Sequence, residues 1–296
     1  MKRYPPLGAH ARPEPARHTT TDGITARPFI PSRSYRIVVS NIGPWSPLQG
    51  RFQCEQSYHA NHAEVNPVSA PTATAFKRVI ARLRTAYGVP GPPPATVPFA
   101  IVLYENVAYL VPEERRAAAF ERLRRSIGIT PHAILHAAPP LLRSVAAGGG
   151  VYADLRAARM REAARIVIEE FGDGMSGVLA EPPARRRRLL KTFPAIGDPG
   201  ADKILLMSRT EPVLALESNG LRVLTRLGFG TESKSYAATY KSVQRAMGIF
   251  HERDFDFLID AHVLLARHGR ELCRRTAPLC DPCPLKSTCA YYRSLS

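Results

Sequence analysis

Cys273-x6-Cys280-x2-Cys283-x5-Cys289 is the stretch on which the reading of this sequence turns. Four of the 5 cysteines stand in it, and the fifth, Cys54, lies far upstream. Thiolates gathered this closely share a bond or a metal. Two disulfides are one reading, but the sequence opens without a secretory signal, and disulfides are rare in reducing compartments. Zinc is a second reading, and its ribbons and fingers pair ligands as two short Cys-x2–4-Cys knuckles. Here only Cys280 and Cys283 make such a knuckle, and the outer two cysteines stand off from it. A cubane cluster is larger than one ion and takes four thiolates around a cage. Pro282 and Pro284 flank Cys283 and stiffen the loop while removing backbone donors. The spacing favours a [4Fe–4S] cluster on Cys273, Cys280, Cys283 and Cys289 over zinc and over disulfides or free thiols.

With His268-Gly269-Arg270 just upstream, the pattern resembles the cluster loop of endonuclease III and the related adenine-mismatch DNA glycosylases. The resemblance covers about Phe76 to Tyr292. It implies an all-α, two-lobed helix-hairpin-helix DNA glycosylase fold with a C-terminal iron–sulfur cluster loop. A helical barrel would contain the hairpin, and flanks of the segment from Phe99 to Ile127 would join the C-terminus in a cluster domain.

The 296 residues are enough for one large domain or two small ones, with an apolar fraction of 45%. Lys and Arg number 41 against 25 Asp and Glu, a net charge of +16. Like charges repel in a compact state, so this surplus points to a polyanionic partner, and double-stranded DNA is the one expected. A membrane is not. The most apolar stretch, Pro98 to Val111, is broken by Glu105 and Asn106 and is too short to span a bilayer.

Residues 1–72 differ from the rest. Pro5, Pro13, Pro28, Pro44 and Pro67 interrupt any helical period, Ile37-Val38-Val39 is a short strand-like run, and Trp45 sits between two prolines. The composition reads as a disordered or loosely ordered extension. Its Arg-rich, acid-poor character permits an organelle transit peptide, although the expectation is a monomeric, cytoplasmic, nucleoid-associated protein. His59 and His62 have ligand-like spacing but no partner cluster nearby.

From 73 to 268 the periodicity is helical, and 269–296 forms the cluster loop. Val79, Ile80, Leu83 and Tyr87 share one face, and the run Gly88 to Pro94 stops that helix. A second helix from about Pro98 carries Phe99, Val102, Leu103, Asn106 and Leu110 on one stripe. Glu113 to Ile127 makes a third, Thr130-Pro131 opens a short fourth, and another follows Pro139-Pro140. Gly148-Gly149-Gly150 precedes a long basic helix to about Phe171.

Residues 185–207 read as helix, glycine turn, helix. A basic helix from Arg185 to Thr192 meets the turn Phe193-Pro194-Ala195-Ile196-Gly197, and Asp198-Pro199 is read as N-cap and first-turn proline of the next helix. Backbone N–H groups at such a turn can hold a phosphate without reading bases. The turn resembles the Leu-Pro-Gly-Val-Gly hairpin of the same superfamily, with Ala195 in place of the first glycine. The resemblance makes Lys191, Ala195, Gly197, Gly200 and Lys203 the candidate DNA contacts.

Cleavage of a base from deoxyribose passes through positive charge on the sugar, which a nearby carboxylate stabilises. In the family an aspartate precedes an Arg-Val pair by a few residues. Asn219, Arg222, Val223 and Leu224 match the adenine-mismatch branch in order, which puts Glu217 at the aspartate position. The other reading of Glu217 is a plain helix cap. Bifunctional members carry a Schiff-base lysine two residues beyond the second hairpin glycine. Pro199 stands there, with Lys203 one turn further and Lys191 one helix earlier. The general acid of the adenine-mismatch branch falls on Glu105, for which a raised pKa would suit the role. Tyr109 and Leu110 occupy positions where that branch has glutamines. The sequence therefore reads as a base-excision DNA glycosylase without the usual lyase chemistry, or as a DNA-binding protein of the same fold that has lost catalysis.

Overall fold

The structure is a computed structural model and describes residues 72–172, 174–248 and 250–295. Cys54, His59, His62, Trp45 and the strand-like run at 37–39 lie outside them. Within the described residues the chain is helical, and its β pairing is the single bridge between Tyr109 and Gly150.

Each boundary has a local cause. Helix α1 (Ala73–Tyr87) opens where Thr72 Oγ1 accepts from the Ala75 N–H at 3.1 Å. It buries Val79, Ile80 and Leu83 of the face read from the sequence, together with Phe76, while Tyr87 is only partly buried. Helix α2 (Pro98–Val107) is buried nearly all round and ends before Ala108, so Leu110 lies beyond it rather than on its stripe. Helix α3 (Glu113–Ser126) has two glutamates in its first turn and two arginines in its last, matching the helix dipole. Helix α4 (Pro131–His136) is capped by Thr130, whose Oγ1 accepts from Ala133 N–H at 3.2 Å. Helices α5 (Pro139–Gly148) and α6 (Ala153–Phe171) follow, then the short α7 (Ser176–Ala180).

The hairpin is α8 (Pro183–Leu190) and α9 (Asp198–Met207). After it come α10 (Ser218–Leu227), α11 (Tyr236–Gly248), α12 (Phe255–Glu271) and a last turn α13 (Ala290–Arg293). Helices α2, α4 and α5 pack on α6, and α2 also meets α3 and α9. On the other side α10 lies along α12, with α1 against α12 and α13 against α10. Leu83, Val102, Leu103, Leu123, Leu142 and Leu265 are fully buried, each worth about 1.5–3 kcal/mol relative to exposure.

One close approach governs the C-terminal half. A Cβ on Gly269 would meet Asn219 O at 2.5 Å, so α12 can lie on the start of α10 only because that residue has no side chain. The Gly of His268-Gly269-Arg270 is thus a packing requirement between the two helices.

Candidate active site and cysteine loop

The turn between α8 and α9 has hairpin geometry with the strain in one place. Ala195 adopts φ +64°, the left-handed region where an L side chain is disfavoured. Gly197 has φ −99° and caps α9, so the permissive conformation is demanded of Ala195 and not of the remaining glycine. Asp198 is the first helical residue rather than the N-cap, and Pro199 the second. The Asp198 carboxylate is drawn instead to Lys191, whose Nζ lies 2.7 Å from Oδ1. Two candidate phosphate-contact elements, the lysine and the helix start, therefore share an internal anion.

The turn is fastened to α2 by buried Asn106, whose Nδ2 donates to Pro194 O at 3.0 Å and to Val102 O at 3.0 Å. One residue earlier, Glu105 Oε1 accepts from Lys203 Nζ of α9 at 2.8 Å. Burial acting alone would raise the Glu105 carboxyl. The Lys203 ammonium, with Arg116 adding, outweighs it and holds the group below the usual carboxylate range. The raised pKa expected of a general acid is not what this pair produces. The same pair occupies Lys203, one helical turn beyond the position held by Pro199.

Beneath the hairpin, Asp202 joins three elements. Arg187 Nη2 donates to its Oδ1 at 2.8 Å and Tyr240 Oη to its Oδ2 at 2.6 Å, tying α8, α9 and α11 together. On α12, buried His262 donates from Nδ1 to Ala215 O at 2.8 Å, which fixes the backbone just before Glu217. Burial pushes the His262 pKa down to about 4, so the ring is neutral at pH 7.

Glu217 is the N-cap of α10. Its Oε1 accepts from the N–H groups of Asn219 at 3.0 Å and Gly220 at 2.9 Å, and its Oε2 accepts from Asn219 Nδ2 at 2.8 Å. The carboxylate is partly exposed and held rigidly at a helix N-terminus. Asn219 relays this arrangement inward, since its Oδ1 accepts from Arg222 Nη2 at 2.8 Å. Arg222 in turn donates to Gly269 O at 2.7 Å and Cys273 O at 2.8 Å. Asn219 and Arg222, read from the sequence as pattern matches, are the links that brace Glu217 against α12 and the cysteine loop.

The far end of α10 reaches the cysteines. Cys273, Cys280, Cys283 and Cys289, all unpaired and partly buried, line one small pocket with Val223 and Leu227 of α10. Arg226 Nη1 lies 3.3 Å from Cys273 Sγ, and its guanidinium stacks 4.4 Å over the Tyr291 ring. Buried His268 points Nε2 at Cys283 Sγ, 3.6 Å away. Among the described residues no three His, Cys, Asp or Glu side chains close on a single-ion site. The four thiols instead surround a common space.

One surface feature was not read from the sequence. Tyr109 is 49% exposed, Leu110 77%, Val151 51% and Tyr152 65%, and the two tyrosine rings stand 6.2 Å apart. Leu110 and Tyr152 both have left-handed backbones, at φ +55° and +59°. Buried Arg156 fixes this rim from below, donating Nε to Val151 O at 2.8 Å, Nη2 to Gly150 O at 2.6 Å, and Nη1 to Val107 O. By residue type the four rim residues look like core. The signal that marks them is position, in the two loops that follow α2 and precede α6.

No helix among the described residues is long and apolar enough to cross a membrane. No family model matches the sequence. The chain is 25% identical over 198 residues to Endonuclease III of Thermotoga maritima, covering 67% of this chain and 85% of the relative. It is 26% identical over 195 residues to Endonuclease III of Sulfolobus acidocaldarius, covering 66% and 82%. In fold it matches a non-covalent Endonuclease III–DNA complex with a TM-score of 0.60 and 18% identity, over 76% of this chain and 98% of that one. A thermostable thymine-DNA glycosylase matches with a TM-score of 0.59 and 16% identity, over 74% and 97%.

Proposed function

We propose that this chain, whose sequence and fold are those of the endonuclease III-like helix-hairpin-helix superfamily, is a monofunctional base-excision DNA glycosylase. It acts on duplex DNA as a monomer associated with the nucleoid and cleaves the N-glycosidic bond of a damaged or mismatched base. The observation that carries the reading is the Glu217 carboxylate, immobilised by three donors. A carboxylate offers about four lone-pair sites. With three engaged, one site on Oε2 is left to orient a water, while the charge faces the developing sugar cation. Capping and catalysis are compatible in this geometry, because the cap is what fixes the charge.

The hairpin supports phosphate binding through backbone N–H groups at Gly197 and Gly200, with Lys191 and Lys203 giving up or sharing internal carboxylates in the complex. The exposed apolar rim at Tyr109, Leu110, Val151 and Tyr152 suits insertion between base steps, which helps extrude a nucleotide. Pro199 supplies no amine, so strand cleavage by a Schiff base has no nucleophile at the usual place.

The cysteine pocket fits a [4Fe–4S] cluster better than one ion. Four partly buried thiols line one pocket at the spacing that favours a cubane, and cationic or N–H donors face Cys273 and Cys283. When bound, such a cluster supplies electron-transfer capacity and a cross-link among the loop, α10 and α12.

The second reading, a catalytically silent DNA-binding protein, is favoured by the strained Ala195 and by the engagement of Glu105 with Lys203. One assay separates the two. Purified protein is incubated with duplexes that each carry one damaged or mismatched base, with and without alkali. Base release with an intact abasic strand that breaks only in alkali supports the glycosylase, and no trapped complex should form with borohydride. Binding without release on every duplex selects the silent protein.

A further inference from the structure

We propose that Tyr87 and His268 form a hydrogen-bond relay that donates into the Cys283 sulfur and raises the reduction potential of the cluster. The inference rests on the cluster reading above. Tyr87 ends α1, and its Oη lies 2.9 Å from His268 Nδ1. His268 Nε2 lies 3.6 Å from Cys283 Sγ, and the imidazole is 1% exposed. Both ring nitrogens thus have one protein partner each, with the imidazole buried and Tyr87 partly exposed.

The chemistry of the partners fixes the direction of every bond. A metal-bound thiolate accepts and cannot donate, so His268 must carry its hydrogen on Nε2. A neutral imidazole has one N–H, which leaves Nδ1 bare. The Tyr87 hydroxyl then donates to Nδ1, and the tautomer is set from outside the loop. Burial, with Glu271 adding, pushes the Tyr87 pKa up to about 12, so its hydroxyl keeps its proton at neutral pH. The ring itself is braced, with the Arg267 guanidinium 4.8 Å from its centroid and Arg267 Nε bonded to Glu271 Oε1 at 2.8 Å.

The four sulfurs are therefore unequally served. Cys273 faces the Arg226 guanidinium, Cys283 receives the relay, and Cys289 Sγ faces the Arg226 carbonyl at 3.6 Å. A donor at a cluster sulfur stabilises the form with more negative charge, which is the reduced one. The relay differs from the arginine in being uncharged, with its imidazole buried, so its contribution depends little on salt.

The test is film voltammetry of the purified full chain, with iron content measured on the same samples. Tyr87→Phe should keep about four irons per chain and shift the potential to more negative values. His268→Leu should shift it further in the same direction, and His268→Gln, which retains a donor, should recover part of the shift. A second readout is the coupling of an exchangeable deuteron to the paramagnetic cluster after transfer to heavy water. The part due to the imidazole should weaken in Tyr87→Phe and be lost in His268→Leu, leaving the coupling from the Arg226 guanidinium at Cys273 in place. If the histidine variants do not fold, Tyr87→Phe decides by itself. An unmoved potential with full iron content overturns the relay and leaves the cluster reading standing. A wild type without iron overturns the cluster reading and the relay with it.

Discussion

The two ends of α10 make an instructive contrast. They are about 15 Å apart along a ten-residue helix. At the C-terminal end, the sequence carries the full set of thiols that the cluster pattern asks for, at its spacing. At the N-terminal end, Glu217 stands where the sequence resemblance would place an aspartate, and in the hairpin between α8 and α9, Ala195 and Pro199 stand where it would place a glycine and a lysine. A thiolate cage tolerates no substitution without losing a ligand. A carboxylate on a helix terminus can gain a methylene as long as its oxygens find the same donors. The strict end and the permissive end are tied through Arg222, which bonds Asn219 on one side and Cys273 O on the other.

The contrast breaks most directly at Glu217. Under the proposed function, Glu217→Gln should lower base release by at least about 100-fold with DNA affinity retained, since the amide keeps the size and loses the charge. Single-turnover release measured beside an equilibrium binding titration checks it, and full activity in the variant would remove Glu217 from the chemistry. Glu217→Asp should keep or improve the rate.

The brace between the ends is tested at Gly269. Gly269→Ala places a Cβ 2.5 Å from Asn219 O and should destabilise the fold by about 1–3 kcal/mol, the usual cost of overpacking. Chemical denaturation gives the value. The variant should also lower the rate of base release, because the backbone that forces apart is the one holding the Glu217 cap.

Lys203→Met sharpens the permissive side. At pH 7 it leaves Glu105 charged, partly buried and unpaired, at a cost of about 2 kcal/mol. In the wild type the folded Glu105 pKa is depressed, so its stabilising contribution is present above the unfolded value near about 4.3 and is lost as pH falls through the folded value. The gap in melting temperature between wild type and Lys203→Met should therefore be widest near neutrality and close on acidification toward pH 3. A gap independent of pH would show that the lysine acts through packing.

The smallest effect is a gain. Ala195→Gly should stabilise the protein by about 1 kcal/mol by removing left-handed strain. A melting curve that does not move upward would mean that the turn relaxes differently in solution. If DNA affinity rises as well, the alanine has been limiting the phosphate site.

Much of this was legible because the sequence punctuates itself. Thr130-Pro131 and the paired prolines at 139 and 140 announce helix starts by supplying an acceptor or by needing no N–H, and the described helices begin at those signals. The all-α body followed from the helical periodicity, and the glycosylase-like fold from the resemblance that the cysteine spacing carries. Asp198 misled, since Asp-Pro reads as a cap; in the structure Gly197 takes that position and Lys191 claims the carboxylate. The partner of Glu105 was beyond reach, because Lys203 lies on another helix and nothing local reports the meeting. Leu110 was assigned to a buried stripe by period alone, although α2 stops short of it. Apolar residues displayed on a rim are indistinguishable by type from apolar residues inside, and only the packed chain tells them apart.

Arg156 has a consequence for how such a rim can change over evolutionary time. One buried side chain gathers the carbonyls of Val107, Gly150 and Val151, so the two loops are shaped from within. The four apolar side chains above contribute little to that shape. They can be exchanged as bits are exchanged in a chuck, each new set presenting a different face to a partner while the holder stays the same. Exchange at the rim is thereby uncoupled from the shape of its loops, and the constraint falls on a residue that never reaches the surface.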